Sequence, residues 1–288
     1  MSLKHRLLAA TYPCLRLGNA SLRRIGIRPS GRLRVLLYHD IAPHEEDRFA
    51  AHLRWLAQTW QFVDPQKFAA MVSGEEPVKD DHLLLTFDDG FASNRLIAER
   101  VLNPMGIRAL FFIISCFAEL SDADDRRAFI ARGIYPGMDP ATMPRYWQNM
   151  TWNDLSFLLE TGHTIGAHTA THARLSQIVR ADELEAEIID SADMLEQKLG
   201  VKVEHFAYTF GNLASFSPLA LAIARKRFRF IHTGLRGNNA HGVLPWALRR
   251  DAMKPTDSLA LTGALLEGGA DLRYAEDLAT LESWGMDR

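Results

Sequence analysis

Leu85-Thr86-Phe87-Asp88-Asp89-Gly90 closes the apolar run that begins at His82, and its reading decides the fold. The run His82-Leu83-Leu84-Leu85-Thr86-Phe87 carries no helical period and is short, which describes a buried strand. Phe91 to Leu102 then reads as a helix. A buried strand feeding a helix is the unit of alternating α/β folds, whose ligands collect at the carboxyl ends of the strands. Asp88 and Asp89 would sit at such an end, and Gly90 lets the backbone turn beyond them. Two adjacent carboxylates repel, and the pKa of one rises. A cation held by one of them removes the conflict and leaves the other free as a base. By itself, however, Asp-Asp-Gly after a strand is usually only a turn.

Roughly eighty residues on stands His168-Thr169-Ala170-Thr171-His172, two imidazoles at i and i+4. Trp152 to Glu160 is a helix pattern that ends at Gly162, and His163 to His168 reads as a strand delivering His168 at its tip. His172 follows one turn later, on the same side of a helical or turn conformation. A helix from Ala181 to Leu199 comes next, with Leu184, Ile188, Leu195 and Leu199 as its buried stripe and Gly200 as its stop. A lone H-x-x-x-H pair is more often structural than ligating. Combined with the aspartates, it completes one oxygen ligand, two nitrogen ligands and a spare carboxylate, the donor set of a hydrolytic metal centre with an open position.

Thr86-Phe87-Asp88-Asp89-Gly90 and His168-x-x-x-His172 resemble the first two motifs of the polysaccharide deacetylases, carbohydrate esterase family four. The run-up Gly162-His163-Thr164-Ile165-Gly166-Ala167-His168-Thr169 is similar to that family's as well, and the resemblance covers about residues 33 to 250. It implies an irregular (β/α) barrel rather than a doubly wound sheet. It also implies that Asp89, His168 and His172 hold a divalent metal, with Asp88 as general base. Two nitrogens and one oxygen make Zn²⁺ the expected ion, with Co, Ni, Mn or Fe also compatible.

Phe206-Ala207-Tyr208-Thr209-Phe210-Gly211 resembles the third motif but departs from it. Ala207 stands where many members have the arginine that orients the catalytic aspartate, and Thr209 where they have proline. A branch with Phe-Ala-Tyr-Pro-Phe-Gly also lacks that arginine. The backbone N–H of Phe210 is the candidate oxyanion donor, since it does not depend on the side chain. Tyr208 is a candidate substrate contact.

The histidine that the family carries near its C-terminus has no counterpart after Gly211. His232 and His241 lie there, and both read as loop or surface residues. Val35-Leu36-Leu37-Tyr38-His39-Asp40-Ile41 instead resembles the N-terminal Tyr-His-Asp strand of a circularly permuted branch that includes exopolysaccharide deacetylases. The resemblance makes His39 the general acid and the barrel permuted. A strand-end histidine that merely packs is the plainer reading.

Composition sets the limits. The chain has 288 residues, 47% of them hydrophobic, enough for one large α/β domain over residues 33–255. Thirty-three basic and 35 acidic residues give no global attraction to nucleic acid. Residues 1–32 form a basic N-terminal segment. From Met1 to Arg34 there are eight Lys or Arg and no acidic residue, with Leu7, Leu8, Tyr12, Leu15 and Leu17 interleaved. Two readings stand for this segment: a basic amphipathic helix on an anionic membrane surface, or a helix packed on the barrel. Pro13 and Arg16 break its apolar run, so a signal peptide is not expected. Cys14 and Cys116 suggest no disulfide framework. The expected location is the cytoplasm, at the inner membrane surface if the first reading holds.

An insert at about 117–150 carries Tyr146 and Trp147, which either stack on sugar faces or cover the barrel. Residues 256–288 read as a helical extension, Leu259–Leu266 and Tyr274–Trp284. Three functions compete. The first is a metal-dependent deacetylase of an N-acetylated sugar or glycan. The second is a hydrolase of another amide, including cyclic amides, on the same fold. The third is a carbohydrate-binding protein whose catalytic support has decayed, as Ala207 and Thr209 would suggest.

Overall fold

The computed structural model describes residues 3–240 and 242–286, so His241 lies outside the described residues. In chain order the strands are β1 (Arg32–Tyr38), β2 (Gln61–Phe62), β3 (Asp81–Phe87), β4 (Leu110–Ile113), β5 (Thr164–Ala167), β6 (His205–Ala207), β7 (Phe230–His232) and β8 (Asp251–Ala252). All pair in parallel, in the order β7-β6-β5-β4-β3-β1-β8, with β2 against the start of β3. The β1–β3 register runs from Arg32 opposite Asp81 to Tyr38 opposite Phe87. The last stretch links both edges. Leu248 N–H donates to Ile231 O at 3.0 Å on β7, and Met253 N–H donates to Leu37 O at 2.9 Å on β1. The curled sheet thereby meets itself, as a barrel does.

Side chains alternate across each strand, and the buried residues divide accordingly. Leu33, Val35, Leu84, Leu110, Phe112, Ala207 and Phe230 form the inner cluster, with Phe68 and Met71 of the helix Pro65–Val72 packed into it. Leu36, Tyr38, Leu85, Phe87, Phe111, Ile165, Phe206 and Ile231 face the other way, into the layer beneath the helices. Phe87 stacks on Phe111 in that layer, with ring centroids 5.0 Å apart. Continuing the β3 alternation past Leu84 and Thr86 carries Asp88 to the inner side, at the barrel mouth.

The helices fall where the sequence places them. Trp152–Glu160 starts at a capping box in which Thr151 and Asp154 bond each other's backbone N–H. The helix over 181–199 contains a π-helical segment at Ala186–Asp190 and stops at Gly200 with φ 67°. The N-terminal segment folds as two helices, Leu3–Ala10 and Tyr12–Arg24. Tyr12 packs against Gly263 of Leu259–Leu266, where a Cβ would lie 2.4 Å from its ring. Asn19 donates to the Glu267 carbonyl at 2.9 Å, and Arg23 pairs with Asp81 at 3.0 Å. Two extensions that the sequence separates therefore pack together at the amino ends of the strands. Arg34, fully buried, pins this end by pairing with Asp251 and Asp271, each at 2.6 Å.

Candidate active site at the strand carboxyl ends

Asp89, His168 and His172 converge above β3 and β5. Asp89 Oδ1 lies 3.5 Å from His168 Nε2 and 3.4 Å from His172 Nε2. Among the described residues this is the single group of His, Cys, Asp and Glu donors close enough to share a cation, and all three are buried. Each imidazole is aimed by its other nitrogen. His168 Nδ1 donates to Ala207 O at 2.6 Å, and His172 Nδ1 donates to Gly133 O at 2.9 Å. Such bonds fix the tautomer that leaves Nε2 unprotonated for a metal. Asp89 Oδ1 is buried and has no hydrogen-bond partner, a costly state for a carboxylate oxygen that a cation would relieve. The residues present thus fit a divalent metal.

The backbone is shaped for this arrangement. Among the described residues, the non-glycine positions with left-handed φ are Asp89 (76°), Thr169 (65°), His172 (64°) and Phe210 (60°). All four belong to the site, where such costly conformations concentrate. Of the two conformations open to His168–His172, the chain takes the turn, held by Thr169 Oγ1 accepting from His172 N–H at 2.9 Å. Burial alone would raise the Asp89 pKa, but the imidazoles of His168, His39 and His172 around it outweigh this and hold it low. Burial likewise opposes protonation of both ligand histidines. The charges of Asp88 and Asp89 reverse this for His168, whose pKa is raised, while that of His172 stays lowered.

Asp88 receives what the third motif lacks. Arg250, buried and just ahead of β8, donates Nη1 to Asp88 Oδ1 at 2.6 Å and Nη2 to Oδ2 at 2.9 Å. Its Nε donates to Thr233 O at 2.7 Å, which fixes the fork. A bidentate guanidinium aligns a carboxylate as no point charge can. Ala207, on the inner face of β6, instead supplies the carbonyl for His168. Sequence reasoning missed Arg250 because it lies far along the chain from Asp88. The one available signal was Arg249-Arg250-Asp251 in a stretch otherwise poor in charge.

A cavity of about 190 Å³ opens over these groups, lined by His39, Asp88, Asp89, Tyr135, His168, His172, Phe210 and Arg250 among others. His39 is exposed at its mouth. Asp40 beside it accepts from Ser93 Oγ at 2.6 Å and Trp147 Nε1 at 2.8 Å. The Phe210 N–H donates to no protein acceptor among the described residues. Gly211 and Gly234 let the loops after β6 and β7 touch backbone to backbone, since a Cβ on Gly211 would lie 2.8 Å from Gly234 Cα.

None of the three expected substrate contacts lines this cavity. Tyr208 points away from the barrel interior, fully buried and stacked on Phe216 at 4.2 Å. Trp147 spends its indole N–H on Asp40 and stacks on Tyr135 at 4.7 Å. Tyr146, beside it, does not line this cavity; Tyr135 does. The insert therefore covers the barrel with its own core of Phe91, Phe117, Phe129, Ile130, Ile134 and Met143, and it lends the Gly133 carbonyl to His172. His232 is neither loop nor surface. It is buried in β7 and bonded to His205 at 3.0 Å.

Known proteins are similar in sequence and fold. The Bacillus subtilis (strain 168) protein YxkH is 23% identical over 243 residues, covering 82% of this chain and 76% of its own length. IcaB from Ammonifex degensii superposes with a TM-score of 0.66 at 24% identity, over 83% of this chain and 98% of its own. The Streptococcus pyogenes deacetylase PplD, solved in complex with acetate, gives 0.64 at 21%, over 80% and 96%. These likenesses establish the curled (β/α) barrel. A family model for polysaccharide deacetylase matches residues 75–226, more than half of the chain and inclusive of both aspartates and both histidines, and the chain belongs to the polysaccharide deacetylase family.

Proposed function

We propose that this protein is a metal-dependent N-deacetylase of an N-acetylated sugar or glycan. The observation that carries the reading is the convergence of Asp89, His168 and His172 beside an Asp88 clamped by Arg250. Asp89, His168 and His172 would hold the cation, zinc by preference for this donor set, which when bound supplies Lewis-acid activation of water and of an acetamide carbonyl.

The chain's own residues do the rest. Asp88 takes the proton of the attacking water; Arg250 occupies part of its acceptor capacity, and a carboxylate has about four lone-pair sites in all. The Phe210 N–H donates to the tetrahedral oxyanion. His39 protonates the departing amine, otherwise a very poor leaving group. Because the strand that delivers His39 comes first in the chain yet lies beside β8, we also assign the protein to the permuted branch. PplD, a deacetylase of the same fold, binds acetate, the acid this reaction would release. Arg250 on Asp88 favours this reading over a decayed site, because it supplies the support that Ala207 cannot.

The N-terminal helices turn Leu3, Leu7 and Leu17 to solvent, and the turn after them Ile25 and Ile27, among Lys4, Arg6, Arg16 and Arg24. Among the described residues no helix is long and apolar enough to cross a membrane. We read this face as one that rests on an anionic bilayer, with the active site at the opposite end of the strands. The reaction itself is tested by acetate release from N-acetylglucosamine oligomers with metal-stripped and zinc-reloaded protein. Release only by the reloaded form supports the reading, and none by either form contradicts it.

A further inference from the structure

The catalytic cavity does not end at the ligand histidines. A second compartment of about 750 Å³ adjoins it and shares His172 and Phe210 as a common wall. Gly133 and Thr171 continue that wall, and Arg132 and Arg174 stand over it. No aspartate or glutamate lines this compartment. Glu187, the carboxylate bonded to the same loop, is occupied by the N–H groups of Ala170 and Thr171 and by the Thr171 hydroxyl, at 2.6 to 3.1 Å.

Both arginines are unspent. Among the described residues, neither Arg132 nor Arg174 enters an ion pair; the same is true of other arginines such as Arg16 and Arg145, and what sets these two apart is that they share one compartment lined by no carboxylate. The Arg174 guanidinium is half-buried and lies 4.1 Å above the Phe210 ring, so its position is fixed relative to the proposed oxyanion donor. Stacking of this kind orders a guanidinium while leaving its N–H edge free for an acceptor. Two unpaired guanidinium groups in a cleft without carboxylates are complementary to an oxyanion, and their forked donors match a carboxylate or a phosphate.

We infer that the substrate carries a carboxylate or phosphate on the unit next to its N-acetyl sugar, and that Arg132 and Arg174 are the residues that select it. The inference rests on the deacetylase reading of the adjoining cavity and adds the charge class of the substrate. The acetamide would enter the smaller cavity, and the anionic neighbour would occupy the larger one, across Phe210. The subsite raises apparent affinity without entering the chemistry, so its loss shows in KM and leaves kcat little changed.

The test is calorimetry on zinc-loaded Asp88→Asn protein, which holds substrate without turning it over. Three probes are compared: a neutral N-acetylglucosamine tetramer, a tetrasaccharide alternating glucuronate with N-acetylglucosamine, and an N-acetylglucosamine oligomer bearing a terminal phosphate. The expected result is about tenfold or tighter binding of one anionic probe over the neutral one, and which probe wins tells carboxylate from phosphate. Raising the salt concentration should erase that advantage. Arg132→Gln, at an exposed position that the fold does not need, should remove most of it, and Arg174→Gln should remove it too. Equal affinity for all three probes, no measurable binding of either anionic probe, or unchanged selectivity in Arg132→Gln overturns the inference. Charge-selective binding without acetate release by the wild-type protein leaves the subsite standing and removes the deacetylase reading instead.

Discussion

Truncation of Arg250 is the perturbation whose cost the structure specifies most fully. Its guanidinium, fully buried, makes two charge-assisted bonds to Asp88, at 2.6 and 2.9 Å, and one to the Thr233 carbonyl at 2.7 Å. Arg250→Ala leaves a buried carboxylate without its cation, and breaking one side of a buried pair costs about 3–5 kcal/mol. The catalytic effect is separate. A misoriented base forfeits much of the ~10²–10⁴ that general acid–base catalysis contributes, so kcat should fall by about 10²–10³ with KM within about threefold. Arg250→Lys restores a charge but not a fork; it should recover most of the stability and little of the rate. Millimolar guanidinium, far below denaturing concentrations, should partly rescue the Ala variant by filling its cavity, and should not rescue the Lys variant. Acetate release and urea unfolding, measured on the same preparations, read both effects. An Arg250→Ala protein with wild-type kcat would refute the claim that this arginine positions the base.

His39→Ala should lower amide hydrolysis by about 10²–10³, yet spare 4-nitrophenyl acetate, whose leaving group needs no proton; equal losses on both substrates would exclude the acid role. Chelation should abolish activity and lower the melting temperature, with zinc restoring both, because an ion that binds only the folded state stabilises it by mass action. Burial, with help from Arg108, pushes the His163 pKa down to about 4, against ~6.5 in the unfolded chain. The fold therefore favours neutral His163. This contribution is complete above about pH 6.5 and is lost as the pH falls from there to about 4, by ~3 kcal/mol in all. Urea midpoints at pH 7 and 4.5 should converge in His163→Gln relative to wild type; an unchanged gap would contradict the assignment. Leu3→Ser with Leu7→Ser should weaken cosedimentation with anionic vesicles without changing turnover on a soluble substrate, whereas undiminished pelleting would remove the membrane reading.

Much of this was legible along the chain because the signals are local. The β3 run and its Asp-Asp-Gly turn, the helix opening at Thr151, the His168 strand and the helix ending at Gly200 each depend on residues within a few positions of one another. The two ligand histidines were legible as a pair, but their conformation was not. Spacing alone allows a helix, and only the left-handed Thr169 and His172 show that the chain turns instead. What the sequence hid is long-range. Arg250 reaches Asp88 across 162 positions, and the Gly133 carbonyl reaches His172 from an insert whose composition suggests sugar stacking or a cover but no support for a ligand. Tyr208 misled for a related reason. In a barrel, alternate residues of one strand face opposite ways, and a one-residue difference separates Ala207 beside the site from Tyr208 in the outer layer. His232 misled because a histidine buried neutral beside another histidine has no local signature.

The role of Asp88 as base is tested most directly by acetate release from wild type and Asp88→Asn side by side, both carrying one equivalent of zinc by elemental analysis. Steady release is expected from the wild type, and a loss of at least ~10²-fold in the variant at unchanged metal content. Equal rates at equal zinc would mean that Asp88, and with it the Arg250 clamp, is not the base, and the mechanism proposed above would fall.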